Sequence, residues 1–168
     1  MEIGATKAVQ DRLKTTKIEE SKGASLVFCW DTHLTKIKGR NVLFIVNASN
    51  RYTIAMTDIE PRNWNYYTMY IRRVIQMGYS EEQIAQYFKM SGDTTVTKTH
   101  GRKSVGGINR MVMDAQYFGK KLEKEAKCQW ELSEYLNRDI CQPEGFDAYG
   151  YPSELFKLDM ERLGIAAK

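Results

Sequence analysis

Two histidines, His33 and His100, are the side chains of this sequence best suited to proton transfer near neutral pH. Imidazole has a pKa of about 6.5, so it gains and loses a proton in that range. A histidine pair can cleave RNA without a metal, because one takes the 2′-hydroxyl proton while the other protonates the 5′-oxygen. We therefore consider His33 and His100 as a catalytic pair. The alternative is a surface histidine and a core histidine that never meet.

Neighbouring residues suggest a separate role for each histidine. His100 follows a strand-like segment, so we expect solvent to reach it, and cations such as Lys98 and Arg102 would lower its pKa. A lowered pKa favours the general-base role. Asp31 precedes His33 by two residues and would share its face of a strand, so it could orient His33 and raise its pKa for the general-acid role. Asp31 could equally be a turn residue.

The stretch that begins at Thr94, TTVTKTHGRKSVGGINRMVMDAQYF, changes from a strand pattern to a helix pattern. Four cations lie in or just after the junction: Lys98, Arg102, Lys103 and Arg110. Free N–H groups at a helix start, with Gly106 and Gly107 permitting close approach, could hold a phosphate there. The alternative is a solvated loop whose glycines only allow tight packing between helix and sheet.

Aromatic residues come shortly before basic ones in a second stretch, residues 66–73. On the predicted helix, Tyr66, Tyr70 and Arg73 lie on the side opposite the apolar stripe, so we expect them to be exposed. Such a surface suits single-stranded nucleic acid, whose bases stack on aromatic rings. It also suits a protein interface.

Other kinds of catalytic site have little support in the sequence. The cysteines, Cys29, Cys128 and Cys141, are too widely spaced for a zinc motif or a disulfide framework, so we expect them to be structural. The acidic residues show no spacing typical of a two-metal nuclease. No nucleotide-binding glycine motif or nucleophile elbow occurs. We therefore predict no cofactor and no metal.

The composition is that of a globular protein. The chain has 168 residues, 42% hydrophobic and 27% charged, so we expect a single domain over residues 1–168. Its net charge of +4 favours anionic partners. No apolar run has the roughly 20 residues of a membrane helix, and the N-terminus lacks a signal-peptide pattern. We therefore predict no membrane association and a location in the cytoplasm of a host cell.

The predicted fold is α+β, an antiparallel β-meander with several α-helices packed on it. Short apolar and alternating segments within residues 24–58 predict the meander, and TTVTKT predicts a later strand. Helices are predicted over 5–15, after Pro61, after Ser80 with Gln83 as a capping box, after Ser104 and from Pro152. The predicted core comprises Val27, Leu43, Ile45, Ile54, Trp64, Ile71, Val74, Ile108, Met111, Val112 and Phe118.

Four segments, taken in order, resemble an uncharacterised family of bacterial and phage domains. They are WDTHLTKIKGRNVLFIVNASNRYTIAM, TKTHGRKSVGGINRMVMDAQYF, LNRDI and YGYPSELFKLDME. The family's hallmarks are a tryptophan before a strand, a strand that ends in Asn, a Thr-Lys-Thr strand end followed by Ser-Val, and a helix that begins at Tyr-Pro. This chain differs by one extra residue between Lys98 and Ser104 and by Arg110 where an acid is usual.

The resemblance implies a fold more than an activity. Small phage or plasmid proteins of this size include anti-CRISPR proteins, some of which are ribonucleases acting on guide RNA. We therefore expect a mobile-element protein whose partner is RNA or a host ribonucleoprotein such as Cas9 with its guide RNA, in which Lys98, Arg102, Lys103 and Arg110 hold the backbone. One alternative is a non-catalytic module that blocks a host defence protein. Another is a housekeeping domain whose role the sequence does not show.

Overall fold

The computed structural model describes residues 1–14, 17–62 and 67–165. Within them, five strands form one sheet in the order β4-β3-β2-β1-β5. The strands are β1 (Glu2–Ala5), β2 (Cys29–Ile37), β3 (Arg40–Asn47), β4 (Thr53–Thr57) and β5 (Thr95–Thr97). The helices of the described residues include α1 (Lys7–Leu13), α2 (Tyr67–Gln76), α3 (Glu81–Ser91), α4 (Gly101–Gln116), α5 (Trp130–Asn137) and α6 (Pro152–Arg162). The fold class is α+β, as predicted.

The antiparallel meander is formed by β2, β3 and β4, whose registers pair His33 with Phe44 and Phe44 with Ala55. The sheet also holds two parallel pairs, because β1 lies between β2 and β5 and runs parallel to both. The sequence analysis missed β1. Its four residues, EIGA, are too few to show an alternating pattern, and tertiary pairing alone makes them a strand.

Alternation along the strands separates two apolar layers. One face carries Ile3, Trp30, Leu43 and Ile54, which pack with α2, α3 and α6 in one buried cluster. The other face packs against α4 and α5 in a second cluster, which includes Val42, Phe44, Val46, Ala55, Ile108, Met111 and Leu132. The sheet therefore lies between two sets of helices, and the face of β1 and β2 that carries Glu2 and Asp31 is the face covered by α4.

The predicted core is largely confirmed. Val112 is only partly buried, against the second cluster, and Trp64 lies outside the described residues. The other nine predicted residues are buried: Val27, Leu43, Ile45, Ile54, Ile71, Val74, Ile108, Met111 and Phe118.

The outer edge of β4 is covered by the segment that leads into α5 and by α5 itself. Asn137 accepts a hydrogen bond from the Thr53 N–H at 2.8 Å and donates one to the Thr53 carbonyl at 2.9 Å. Ser133 accepts from the Ala55 N–H at 2.9 Å. These side chains replace the next strand, so the backbone groups of an edge strand are satisfied within the chain.

The helix starts test the capping predictions. Ser80 and Gln83 form the predicted capping box of α3, and Pro152 lies at the first turn of α6. Helix α4 begins at Gly101 rather than after Ser104, so the prediction that Ser104 caps it is wrong. In the part of the chain that the structure describes, no helix is both long enough and apolar enough to cross a membrane.

Candidate functional site

The site lies where β5 passes into α4, against the end of β1. Gly101 has φ of +91°, which suits glycine, and this residue turns the chain sharply into the helix. His100 immediately precedes the helix, and its side chain points into the protein with only 7% exposed. The turn thus places an imidazole beneath the start of α4 while the cations around it stay outside.

His100 lies between two buried carboxylates. Its Nδ1 is 2.7 Å from Asp31 Oδ1, and its Nε2 is 2.9 Å from Glu2 Oε2. Asp31 also accepts hydrogen bonds from the His100 backbone N–H and the Ser104 hydroxyl. Glu2 further accepts from the Ser21 hydroxyl at 2.7 Å and the Lys22 N–H at 2.7 Å. We call Glu2, Asp31 and His100 the buried ion triad.

A glycine in β1 makes room for this arrangement. A Cβ at Gly4 would lie 1.9 Å from Asp31 Oδ1 and 2.9 Å from the Thr99 Cα, closer than real Cβ atoms approach other atoms. Gly4 pairs with Asp31 on one side and Thr97 on the other, so it lies at the centre of the three parallel strands. Only a residue without a side chain lets the Asp31 carboxylate reach His100 across β1.

The protonation of His100 is opposite to the prediction. Burial would lower its pKa, but hydrogen bonds with Asp31 and Cys29 and the charge of Asp31 raise the pKa to about 11. Burial would raise the pKa of Glu2, but hydrogen bonds from His100 and Ser21 lower it to about 2. The expectation of a solvent-reachable His100 with a lowered pKa was therefore wrong. An imidazolium held by two carboxylates is a poor general base at neutral pH.

His33 lies apart from the triad. It is half-buried on β2 opposite Phe44, and burial lowers its pKa. The prediction that Asp31 orients His33 and raises its pKa is wrong, because the Asp31 carboxylate is bound to His100 and Ser104 instead. The catalytic roles assigned to His33, His100 and Asp31 stay predictions. This geometry argues against His100 as the general base and His33 as the general acid.

The predicted cations lie on the exposed side of the same junction. Lys98, Arg102 and Lys103 are exposed, and none has a carboxylate partner among the described residues. Arg110, about two helix turns further on, is also exposed and forms an ion pair with Asp114 at 3.2 Å. The inner side of the same helix start is occupied by Asp31, which accepts hydrogen bonds from the His100 N–H and the Ser104 hydroxyl.

The two adjacent glycines of α4, Gly106 and Gly107, differ in what surrounds them. A Cβ at Gly107 would lie 2.5 Å from the Arg51 guanidinium, so Gly107 allows that side chain to lie against the helix. A Cβ at Gly106 would meet nothing within 4 Å. Gly106 is therefore an exposed mid-helix glycine with no packing reason, at a cost of about 0.5–1 kcal/mol relative to alanine. Gly107 therefore serves packing, and the phosphate site predicted for this junction stays a prediction.

The aromatic and basic surface predicted for Tyr66, Tyr70 and Arg73 is only partly present. Arg73 is exposed, but Tyr70 is 9% exposed and belongs to the first apolar cluster, so its predicted exposure is wrong. Packing against α3 and the sheet makes the buried stripe of α2 wider than its spacing predicted. Tyr66 lies outside the described residues.

All three cysteines are free thiols and buried. Cys29 lies beside the buried ion triad: its Sγ, an oxygen of Glu2 and a nitrogen of His100 are all within 4.8 Å of one another. Sequence reasoning missed Glu2 and Cys29 as partners of His100, because the three are far apart in the chain and only the parallel pairing of β1 with β2 and β5 joins them.

The mixed sheet and the polar junction under α4 define an α+β domain. Residues 2–155 match the family model described as "Domain of unknown function (DUF6933)". The match covers most of the chain, which therefore belongs to that family. No curated protein and no solved structure matches it.

Several hallmark residues seen in the sequence have structural roles. Asn47, at the end of β3, donates to the Val27 carbonyl at 2.9 Å and accepts from the Ser49 N–H at 3.0 Å, which fixes the turn into β4. Asn137, in the Leu-Asn element, covers the edge of β4. These two hallmark residues therefore hold the fold together.

Proposed function

We propose that this chain binds RNA along the exposed face of α4, with Lys98, Arg102 and Lys103 on the phosphate backbone. One observation carries the proposal: three exposed cations without a carboxylate partner among the described residues lie together at one end of the helix. Cations left without partners on a surface favour a polyanion, because each phosphate contact releases counterions. Arg110 extends the same surface by about two turns.

The rest of the exposed surface of α4 suits a flexible, single-stranded nucleic acid. Its outward stripe, at steps of three and four residues, consists of Arg102, Gly106, Asn109, Met113 and Tyr117. Met113 is 61% exposed and Tyr117 is 78% exposed, so both offer apolar area on which bases can stack. Gly106 leaves bare backbone between Arg102 and Arg110, where a phosphate can approach closely. Charge at one end and aromatic surface at the other suit single-stranded RNA.

Binding, rather than cleavage by two histidines, is what this geometry supports. Both ring nitrogens of His100 are bound to carboxylates in the buried ion triad, so His100 is poorly placed to exchange protons with a substrate. His33 is not hydrogen-bonded to His100. Within the proposal, the RNA is part of a host ribonucleoprotein, such as a guide-RNA complex, and the protein obstructs it in the host cytoplasm. The predicted ribonuclease activity is then an outcome for the experiment to decide.

A second candidate is a protein-binding inhibitor without RNA contact. Large apolar side chains are exposed near α5 and before α6, and they include Tyr135, Ile140, Tyr149 and Tyr151. Aromatic residues of this kind are enriched in protein interfaces. This surface would serve a host protein if the α4 surface binds no nucleic acid.

The experiment titrates fluorescently labelled single-stranded RNA with the purified protein at several salt concentrations and follows anisotropy. We expect binding that weakens as salt rises, and weaker binding to duplex RNA. A parallel incubation with and without chelator, resolved on a denaturing gel, detects cleavage and its metal dependence. Absence of salt-dependent binding would reject the proposal and favour the protein-binding alternative.

A further inference from the structure

We infer that Glu2, Cys29 and His100 form a zinc site beneath the start of α4, with Asp31 orienting the histidine. Nothing in the RNA-binding proposal is needed for this inference. The three residues supply a carboxylate oxygen, a thiolate sulfur and an imidazole nitrogen, the donor types that bind zinc in proteins. The mixture of sulfur, nitrogen and oxygen donors favours zinc over magnesium or calcium, which prefer oxygen alone.

The spacing of the donor atoms already approaches a zinc site. All three lie within 4.8 Å of one another, and His100 Nε2 is 2.9 Å from Glu2 Oε2. Bonds of about 2.0–2.1 Å in a tetrahedron place nitrogen and oxygen ligands about 3.3 Å apart. To admit the ion, these two atoms would have to separate by a few tenths of an ångström, and Cys29 Sγ would have to move within bonding distance of it.

The charge of the cluster favours a cation. Glu2 is 2% exposed and Asp31 is 0% exposed, and His100 provides the imidazole between them. Two buried carboxylates balanced by one imidazolium leave a net negative charge, and buried charge is costly unless it is compensated. Zinc would replace the proton between His100 and Glu2, and it would bind the Cys29 thiol as thiolate.

The contact between Asp31 and His100 is the one that zinc-binding histidines commonly make. Such a histidine uses one ring nitrogen for the metal and donates the other N–H to a carboxylate, which fixes the tautomer and the ring orientation. His100 Nδ1 makes this contact with Asp31 at 2.7 Å, which leaves Nε2 directed at Glu2. The Asp31 carboxylate accepts a hydrogen bond from the Ser104 hydroxyl, and the missing side chain at Gly4 leaves room for it.

The site borders a cavity through which a metal and a fourth ligand can enter. The cavity has a volume of about 590 Å³ and is lined by His100, Gly101, Lys98 and residues 18–21. Ser21, whose hydroxyl binds Glu2, lies on this wall. Three protein ligands leave one tetrahedral position for water on the cavity side, as in zinc sites that act on small substrates.

The experiment removes bound metal with a chelator, dialyses the chelator away and titrates the protein with cobalt(II), which replaces zinc and reports its ligands by absorption. We expect one cobalt ion per chain, visible d–d bands of a tetrahedral site and a near-ultraviolet charge-transfer band from the Cys29 thiolate. Zinc should displace the cobalt and abolish the bands. Metal content of the protein as purified, measured by mass spectrometry, gives a second readout.

Variants separate the site from adventitious binding. Cys29→Ser should lose the charge-transfer band, whereas Cys141→Ser, a matched change at another buried cysteine, should keep it. Asp31→Asn should weaken cobalt binding about 10- to 100-fold. Should Cys29→Ser fail to fold by circular dichroism, Glu2→Gln replaces it and should weaken cobalt binding. No tetrahedral cobalt spectrum in the wild type, or a charge-transfer band that survives Cys29→Ser, would overturn the inference.

Discussion

His100 shows at the residue scale how one buried contact changes a side chain's chemistry. Its neighbours in sequence are cations that would lower its pKa, but its neighbours in space include Asp31 and Cys29, whose hydrogen bonds raise the pKa. Charges at hydrogen-bond distance in a buried site outweigh exposed charges that water screens. The residue therefore acts as the cation of a buried network or as a metal ligand.

The first prediction concerns Gly4. Gly4→Ala places a Cβ where the Asp31 carboxylate lies, so either the carboxylate or the backbone at Thr99 must move. We expect a loss of about 1–3 kcal/mol in the free energy of unfolding, measured by urea denaturation. Gly119→Ala is the control, since its Cβ meets nothing within 4 Å. Equal stability of both variants would mean that the triad tolerates displacement.

The second prediction concerns pH in the presence of a chelator. The folded pKa of His100, about 11, is raised above its unfolded value of about 6.5. The protonated histidine therefore contributes stability fully below pH 6.5 and loses that contribution as pH rises toward 11. We expect wild type to lose its stability advantage over His100→Gln across this range, measured by chemical denaturation. A pH-independent difference between the two proteins would contradict the raised pKa.

Helix α4 links the two proposals at the scale of elements. Its inner side covers the sheet through Ile108 and Met111 and, at its start, the buried triad. Its outer side carries the cations and the open glycine, Gly106. One helix thus separates a buried polar cluster from an exposed basic surface, and a change on one side can be made without altering the other.

The third prediction uses the two glycines of α4. Gly106→Ala adds a methyl group into open space, so we expect it to raise the free energy of unfolding by about 0.5–1 kcal/mol. The same change should weaken RNA binding, because it fills the bare backbone between Arg102 and Arg110. Gly107→Ala should give a smaller gain in stability, since its Cβ would displace the Arg51 guanidinium. Denaturation and anisotropy measure the two effects, and unchanged RNA affinity in Gly106→Ala would remove that glycine from the proposed surface.

The fourth prediction concerns the covered edge of β4. Asn137→Ala leaves the N–H and carbonyl of Thr53 without their partners. An unsatisfied buried group costs about 1–3 kcal/mol, so we expect the free energy of unfolding to fall by at least that amount. Asn109→Ala, at an exposed position of α4, is the control and should change stability little. Calorimetric melting of the two variants measures the difference, and equal melting temperatures would show that α5 does not stabilise the edge.

At the scale of the whole molecule, periodic segments could be predicted and contacts between distant segments could not. The meander, the α3 capping box and nine core residues follow from local patterns. The strand β1 and the buried triad depend on pairings between residues 2, 31 and 100, for which a single sequence carries no local signal. The exposed cations could be predicted from their positions at the junction between a strand pattern and a helix pattern, because charged side chains in such a turn stay on the surface.

The central claim is that Lys98, Arg102 and Lys103 hold RNA. Its most direct test is the salt dependence of single-stranded RNA affinity for the triple variant Lys98→Gln, Arg102→Gln and Lys103→Gln. Each lost phosphate contact should reduce the log–log slope by about 0.7, so the triple change should reduce it by up to about 2. The control replaces three exposed lysines elsewhere with glutamine: Lys89, Lys124 and Lys157. A triple variant with wild-type affinity and slope, or a control that loses as much, would contradict the account.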